Sequence, residues 1–384
     1  MRFVFVNATL ILPDITLSDG WLLIEDGIIS AYGMHPNPHS SAPSIDCRGS
    51  YIMPGIIDLH CDAIEKMVQP RPGVHIDSHV ALHVTDRLLI SSGITTEYHS
   101  LSLDDAEFGV RNEYFIREFL ELIATHNHTT SARHIVHARV EVSSERGVES
   151  LRNIIDHPLV KLVSIMDHSP GQGQYPTDEL FRAYVAKTTG RDDAEIDAII
   201  AKKHELRERI PQNIERIIEL SRNAHIPLAT HDDDTEAKVV DWVERGINIS
   251  EFPTTMDAAA AAHHHGMLVG MGAPNVLRGK SSGGNISAID AIKKGYVDWL
   301  CSDYYPAAML PSVFKLANAG IISLSDAVNM ITYNPARAVG IENDYGSLRV
   351  GAHADLLVVN HQQQTPLVER VFIGGKQVYH IQPK

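Results

Sequence analysis

Short apolar segments alternate with longer amphipathic segments through the middle of the chain, from about residue 52 to residue 310. The short segments are typical of buried strands, whereas the long ones repeat their apolar residues at helical spacing. The predicted strands are Ile52–Leu59, Ile94–Ser100, Ile135–Val142, Lys161–Met166, Pro227–Thr230, Ile247–Phe252, Met267–Met271 and Val297–Cys301. The predicted helices include Glu113–Thr125, Ala194–Ala224 and Thr235–Arg245. Such alternation of eight strands with helices predicts an α/β fold, a (β/α)₈ barrel.

Both ends of the chain follow a different pattern, in which short alternating segments are separated by turn signals such as Glu25-Asp26-Gly27 and Gly374-Gly375. Neither end is long enough to bury a core of its own, so we predict that they pair into one small β-sandwich. The predicted domains are therefore a first sandwich part (1–53), a barrel (54–344) and a second sandwich part (345–384). A charged insertion at 172–211 is compatible with a helical lid or with a solvated decoration.

Composition and charge exclude several classes of protein. Hydrophobic residues make up 44% of the 384 residues, and no apolar run approaches the roughly 18 residues that cross a bilayer. The net charge of −15 argues against a nucleic-acid-binding protein, although a local cluster of cations can still bind an anion. The first residues lack the features of a signal peptide, and three cysteines suit a reducing compartment. We expect a cytoplasmic protein that binds neither nucleic acid nor membrane.

The strongest chemical signal lies at the end of the first predicted barrel strand, in the segment Pro54–Asp62. The two-residue period of a strand turns His60 and Asp62 to one side and Cys61 to the other. Imidazole and carboxylate are good ligands for zinc and similar divalent ions. Asp303 follows the eighth strand, where a carboxylate can act as a ligand and as a general base, or can simply cap a turn.

Other candidate ligands end the strands in between, where the chemistry of such barrels lies. Glu141 ends the third strand, His168 follows the fourth and His231 ends the fifth, while Glu251 on the sixth strand is a weaker candidate. For each of them a surface or purely structural role is the alternative. We assign Asp232–Asp234 mainly to a solvated loop that caps the next helix.

Two further features are discounted. His263-His264-His265 ends a helix before Gly266, and because successive helical residues diverge by about 100° they cannot all bind one ion. Cys301 is expected in the barrel core and Cys61 toward the helix layer, so neither is a good candidate for a nucleophile.

Taken together, these motifs resemble the amidohydrolase superfamily, and within it the diphosphatases of phosphonate metabolism. The similarity runs from about residue 20 to the C-terminus, and the blocks Asp167–Gln172 and Ser302–Pro306 are specific to it. The other matching blocks are Pro54–Asp62, Gln69–Pro72, Ser92–Thr96, His231–Asp233, Glu251–Thr255 and Met271–Asn275.

The resemblance implies a metal-dependent hydrolase that releases pyrophosphate from a ribosyl triphosphate and leaves the 5-phosphate. It implies one or two divalent ions, with zinc first and manganese as the alternative, and Asp303 as the catalytic base. The implied ligands are His60, Asp62, Glu141, His168, His231 and Asp303. Two alternative hypotheses are an enzyme that hydrolyses a cyclic or N-acyl amide on the same scaffold, and a non-catalytic subunit whose barrel serves only assembly.

The chain departs from the commoner superfamily pattern in three places. Asp62 and Glu251 stand where histidines are usual, and no lysine ends the fourth strand. Glu141 is an alternative bridging carboxylate in place of that lysine.

A phosphorylated small molecule also needs cations and hydrogen-bond donors. The candidates are Arg71, Arg139, Asn275, Arg278, Lys280, Ser281, Ser282, Asn285 and Tyr304. Most of them belong to a loop rich in glycine and serine at 275–285, before a helix predicted near Ile286–Lys293. A helix N-terminus and a forked guanidinium both suit phosphate, and the alternative is a flexible surface loop. We expect a homodimer as the commonest assembly.

Overall fold

The computed structural model describes residues 1–71, 73–104, 112–171, 175, 177–189, 191–281, 284–361 and 365–382. The strands are β1 (Arg2–Ile11), β2 (Thr16–Glu25), β3 (Ile28–Met34), β4 (Ser44–Asp46), β5 (Tyr51–Pro54), β6 (Ile56–Cys61), β7 (Ile94–Leu103), β8 (Arg133–Glu141), β9 (Val160–Met166), β10 (Leu228–His231), β11 (Ile249–Glu251), β12 (Leu268–Gly272), β13 (Trp299–Cys301), β14 (Leu356–Asn360), β15 (Leu367–Ile373) and β16 (Lys376–His380).

The helices follow the strands in alternation through the barrel. They are α1 (Ala63–Val68), α2 (Ser78–Ser91), α3 (Glu113–His126), α4 (Gly147–Ile154), α5 (Asp178–Thr189), α6 (Asp193–Leu206), α7 (Ile210–Asn223), α8 (Glu236–Glu244), α9 (Met256–His264), α10 (Ala273–Arg278), α11 (Ala288–Lys293), α12 (Met309–Asn318), α13 (Leu324–Asn329) and α14 (Tyr333–Ala338). Among the described residues, no helix is long and apolar enough to cross a membrane.

Strands from both chain ends form one sheet in the order β16-β15-β14-β5-β1-β2-β3, and β4 pairs with β1. Its turns are the predicted ones, since Glu25 pairs with Ile28 and Ile373 with Lys376. The sheet buries a core of its own that includes the rings of Phe5 and Phe372. The prediction of a small sandwich-like unit from the two chain ends is confirmed.

The first predicted barrel strand, Ile52–Leu59, is two strands in the structure. β5 pairs antiparallel with β14 in the terminal sheet, while β6 pairs parallel with β7 in the barrel. Gly55 lies between them, where a Cβ atom would stand 2.2 Å from Oγ1 of Thr95. The chain passes from one sheet to the other at this residue. Only glycine fits here, because any side chain would collide with the neighbouring strand.

The barrel strands β6 to β13 are parallel and lie in sequential order. The ring closes between β6 and β13, where the N–H of Asp62 donates to Asp303 O at 2.8 Å and the N–H of Asp303 donates to His60 O at 2.9 Å. Leu59, Tyr98 and Trp299 fill the interior. The predicted barrel is therefore confirmed, and the carboxyl ends of all its strands open on one mouth.

The charged insertion forms a helical hairpin, α5 and α6, over this mouth. Phe181, Val185, Ile196 and Ile200 give it a small core of its own. The predicted helix Ala194–Ala224 is interrupted by a 3₁₀ turn at Arg207–Arg209 and resumes as α7, which carries proline in its first turn. Proline lacks the N–H that would continue the preceding helix.

Candidate active site

A cavity opens at the mouth of the barrel, and its wall contains all six side chains predicted as metal ligands: His60, Asp62, Glu141, His168, His231 and Asp303. They come from β6, β8 and β10 and from the segments that follow β6, β9 and β13. Parallel strands in a closed ring bring these distant positions together because every strand ends at the same rim.

Glu251 belongs to this centre, although the sequence favoured it only weakly. Its Oε1 lies 3.2 Å from Nδ1 of His60, and donor atoms of His60, His231 and Glu251 all lie within 4.8 Å of one another. Burial raises the pKa of Glu251 well above its usual range, and the neighbouring guanidinium of Arg139 only partly opposes this effect. Two imidazoles and a carboxylate at this spacing form a donor set that suits a divalent ion.

Glu141, His168, His231 and Asp232 form a second group of possible metal ligands. Nδ1 of His168 lies 3.0 Å from Glu141, and its Nε2 lies 3.6 Å from Asp232. Burial opposes the charge on both His168 and Glu141. The contacts with Asp232 and Glu141 nevertheless raise the pKa of His168 to about 9. The hydrogen bond with His168 and the positive charge of Lys203 together lower the pKa of Glu141 to about 2.

The assignment of Asp232 and Asp233 to a solvated loop was wrong, since both carboxyl groups are buried. Asp232 lines the cavity, whereas Asp233 accepts hydrogen bonds from Thr230, Ser250 and the Trp242 indole and so braces the loop. The cap of α8 is supplied by Thr235 instead.

Asp303 holds a position suited to proton transfer. Burial and the nearby charge of Asp62 raise the pKa of Asp303 to about 7, although Arg139 and Lys66 oppose this change. Its backbone has a φ of +57°, which turns the side chain from the end of β13 into the mouth. A carboxyl group with a pKa near neutrality can accept a proton from water at physiological pH.

The residues present fit a divalent cation. Oε2 of Glu251 faces Nε2 of His137 at 3.7 Å, and within the described part of the chain neither atom makes a hydrogen bond. Several buried carboxylates also converge here with Arg139 as a cationic neighbour. Buried acceptors and negative charge of this kind need a compensating cation.

The candidate substrate-binding residues divide into two groups. Those in the cavity wall are Arg139, Asn275, Arg278, Ser281, Asn285 and Tyr304. Arg71 and Lys280 are exposed and do not belong to this wall, so their role in substrate binding stays a prediction. Arg71 lies in a short turn bridged to Val74, and Lys280 follows the left-handed Gly279 that ends α10. Ser282 lies outside the described residues.

The segment predicted as a glycine- and serine-rich loop begins with a helix. α10 begins at Ala273, carries Pro274 in its first turn and ends before the left-handed Gly279, so Asn275 and Arg278 are helical. The Asn275 amide donates to Ile286 O and its oxygen accepts from the N–H of Ala288, which ties both ends of the segment together. The next helix, α11, is capped by the hydroxyl of Ser287. The expected helix N-terminus for phosphate is therefore occupied by the chain itself.

Sequence reasoning missed the contribution of the insertion to the site. Tyr175, Phe181, Tyr184 and Lys203 line the cavity beside the ligand candidates. One signal was available: Lys203 continues the buried row Ile196, Ile200 on α6, a helical spacing at which an apolar residue is expected.

The pattern that describes the Amidohydrolase family matches residues 51–378. The chain belongs to the amidohydrolase family. This amidohydrolase is 34% identical to alpha-D-ribose 1-methylphosphonate 5-triphosphate diphosphatase of Escherichia coli (strain K12), over 97% of this chain and 99% of that protein. The dihydroorotase of Aquifex aeolicus (strain VF5) is 28% identical over 25% of this chain and 30% of its own.

Solved structures share the fold of this amidohydrolase. The N-acetylglucosamine-6-phosphate deacetylase from Pasteurella multocida covers 98% of this chain and 99% of its own, with a TM-score of 0.63 and 14% identity. The 5-methylcytosine deaminase from Klebsiella pneumoniae covers 100% of this chain and 98% of its own, with a TM-score of 0.66 and 13% identity. The predicted family is confirmed, and with it an enzyme of a hydrolase family whose members generally bind divalent metals.

Proposed function

We propose that this amidohydrolase cleaves α-D-ribose 1-methylphosphonate 5-triphosphate into the 5-phosphate and pyrophosphate. The observation that carries the proposal is the similarity to the E. coli diphosphatase over nearly the whole of both chains. The cavity supports it, because ligand candidates for a divalent ion and the cationic side chain of Arg278 line the same space. A neutral amide substrate would have no use for Arg278.

The residues that would hold the metal are His60, His231 and Glu251 in one group, with His168 and Asp232 in the group that shares His231. When bound, a divalent ion stabilises the negative charge that develops on the phosphoryl group and acidifies water. Zinc suits this mixture of imidazole and carboxylate donors, and manganese is the alternative.

The chain's own residues then have separate tasks. Asp303 accepts the proton of the attacking water, a role that fits its pKa of about 7. Arg278, Ser281 and Asn285 hold the phosphate chain by charge and hydrogen bonds. Arg139 is buried between Glu251, His231 and Asp303 and offsets part of their negative charge.

Pyrophosphate release tests this function. The protein is freed of metal with a chelator, returned to zinc or manganese, and incubated with the ribosyl triphosphate. We expect pyrophosphate and the 5-phosphate in equal amounts with metal and neither product without it. Failure to release pyrophosphate with any divalent metal, together with hydrolysis of a cyclic or N-acyl amide, would show that the amide reaction is the correct one.

A further inference from the structure

Lys203 is a buried cation in a row of apolar side chains. On α6 it occupies the same face as Ile196, Ile200 and Leu206, and its side chain is 3% exposed. Lysine is almost never buried to this extent without a polar partner, because its charge loses hydration. The chain keeps a cation at a position where leucine would pack, which indicates a role for the charge.

The Lys203 amino group points toward the metal-ligand candidates. Nζ lies 3.2 Å from Oγ of Ser143, and the Ser143 hydroxyl donates to Oε1 of Glu141. Nζ also lies 6.0 Å from the centre of the Phe181 ring, which covers it on the side of the insertion. The helical hairpin α5–α6 thus brings a positive charge to the wall of the active-site cavity.

Lys203 and Arg278 stand on opposite sides of the mouth. Ser143 follows β8, and Arg278 belongs to the helix that follows β12. In a closed ring with the order β6 to β13, these two strands are four places apart among eight and therefore face each other across the barrel. Two of the metal-ligand candidates, His60 and His231, line the same cavity as these two cations.

We propose that Lys203 binds a second anionic group of the substrate, at the end remote from the triphosphate. The inference rests on the proposed function, in which Arg278 and its neighbours hold the triphosphate. Lys203 then selects substrates that carry an anion at both ends, such as a sugar with a polyphosphate on one side and a phosphonyl or phosphoryl group on the other. The tyrosines of the insertion, Tyr175 and Tyr184, line the space beside it.

Binding of two matched ligands tests the role of Lys203 without requiring turnover. One ligand is ribose 1-methylphosphonate 5-phosphate, and the other is the methyl riboside 5-phosphate, which lacks the second anion. In calorimetry on the metal-loaded protein, we expect the first ligand to bind at least about tenfold more tightly, because a charge-assisted hydrogen bond contributes this much. In Lys203→Met this difference should disappear, whereas affinity for the second ligand should change little.

Two variants make the result specific. Lys203→Arg keeps the charge and should keep the preference for the doubly anionic ligand. Lys202→Met is the matched control, because the neighbouring lysine is 44% exposed and pairs with Glu145 on the surface. If Lys203→Met does not fold, Lys203→Gln with a check of its melting temperature replaces it.

Two outcomes would overturn the inference. One is a preference for the doubly anionic ligand that survives in the neutral variants. The other is an equal loss of affinity for both ligands, which would mean that Lys203 only orders Glu141. Failure of the proposed function is distinguishable from both, since it appears in the wild-type protein as absence of pyrophosphate release.

Discussion

Nδ1 of His168 lies 3.0 Å from Oε2 of Glu141, and the Glu141 side chain is almost fully buried. The two residues come from neighbouring strands, β8 and the segment after β9, and meet only because these strands pair in register. Burial opposes the charge on both groups. The contacts of His168 with Asp232 and Glu141 nevertheless raise its pKa to about 9, and the contact with His168 and the charge of Lys203 lower the pKa of Glu141 to about 2. The metal-free site therefore contains an ion pair at neutral pH.

The first prediction concerns the stability of the metal-free protein at alkaline pH. The pKa of His168 is raised in the folded protein from 6.5 to about 9. Its stabilising effect is therefore complete below pH 6.5 and is lost as the pH rises through 9. Between pH 6.5 and pH 9, we expect the melting temperature of the metal-free wild type to fall by roughly 2–5 °C more than that of His168→Gln. His263→Gln, an exposed histidine, should behave as the wild type, and identical pH profiles for wild type and His168→Gln would contradict the ion pair.

The second prediction concerns metal binding by Glu251. Its carboxylate is fully buried and stands 3.2 Å from His60, so replacing one oxygen removes a donor from the group. Glu251→Gln should weaken metal affinity by ~10-fold or more, measured by competition with a coloured chelator. Glu236→Gln on the exposed start of α8 is the control and should bind metal as the wild type does. Unchanged affinity in Glu251→Gln would remove this residue from the ligand set.

The third prediction separates the two cations that follow β12. Arg278 lines the cavity and Lys280 does not, although both are exposed and only two residues apart. Arg278→Ala should raise KM for the triphosphate substrate by about tenfold, because a charge-assisted bond to phosphate is lost. Lys280→Ala should leave KM within about twofold of the wild type. Equal effects of both substitutions would indicate a general attraction by positive charge in place of a defined contact.

The fourth prediction concerns the passage between the two sheets. A methyl group at Gly55 would stand 2.2 Å from Oγ1 and 2.6 Å from Cγ2 of Thr95, so the strands must move apart to admit it. Gly55→Ala should lower the free energy of unfolding by about 1–3 kcal/mol in urea. Gly272→Ala is the comparison, since its new methyl group would meet its nearest neighbours at an ordinary 3.7 Å. Similar losses in both variants would show that close packing at Gly55 has no special importance.

Sequence alone determined the architecture and most of the metal-ligand candidates. The alternation of strands and helices predicts the barrel, and the short strands at both chain ends predict the second sheet. The placement of His60, Asp62 and Asp303 follows from the two-residue period of a strand and from the fact that the functional side chains of such barrels lie at the carboxyl ends of the strands. These features depend on local pattern and on topology, and both can be read along the chain.

The tertiary structure decided which side chains face the cavity. Arg71 and Lys280 have the right charge but do not line the cavity, whereas Lys203 lines it from a helix of the insertion, for which the sequence left open a lid or a solvated decoration. The division of Ile52–Leu59 at Gly55 and the burial of Asp232 were equally hidden. The direction of a side chain outside regular strands depends on packing between segments far apart in the chain, and this packing leaves no periodic signal in the sequence.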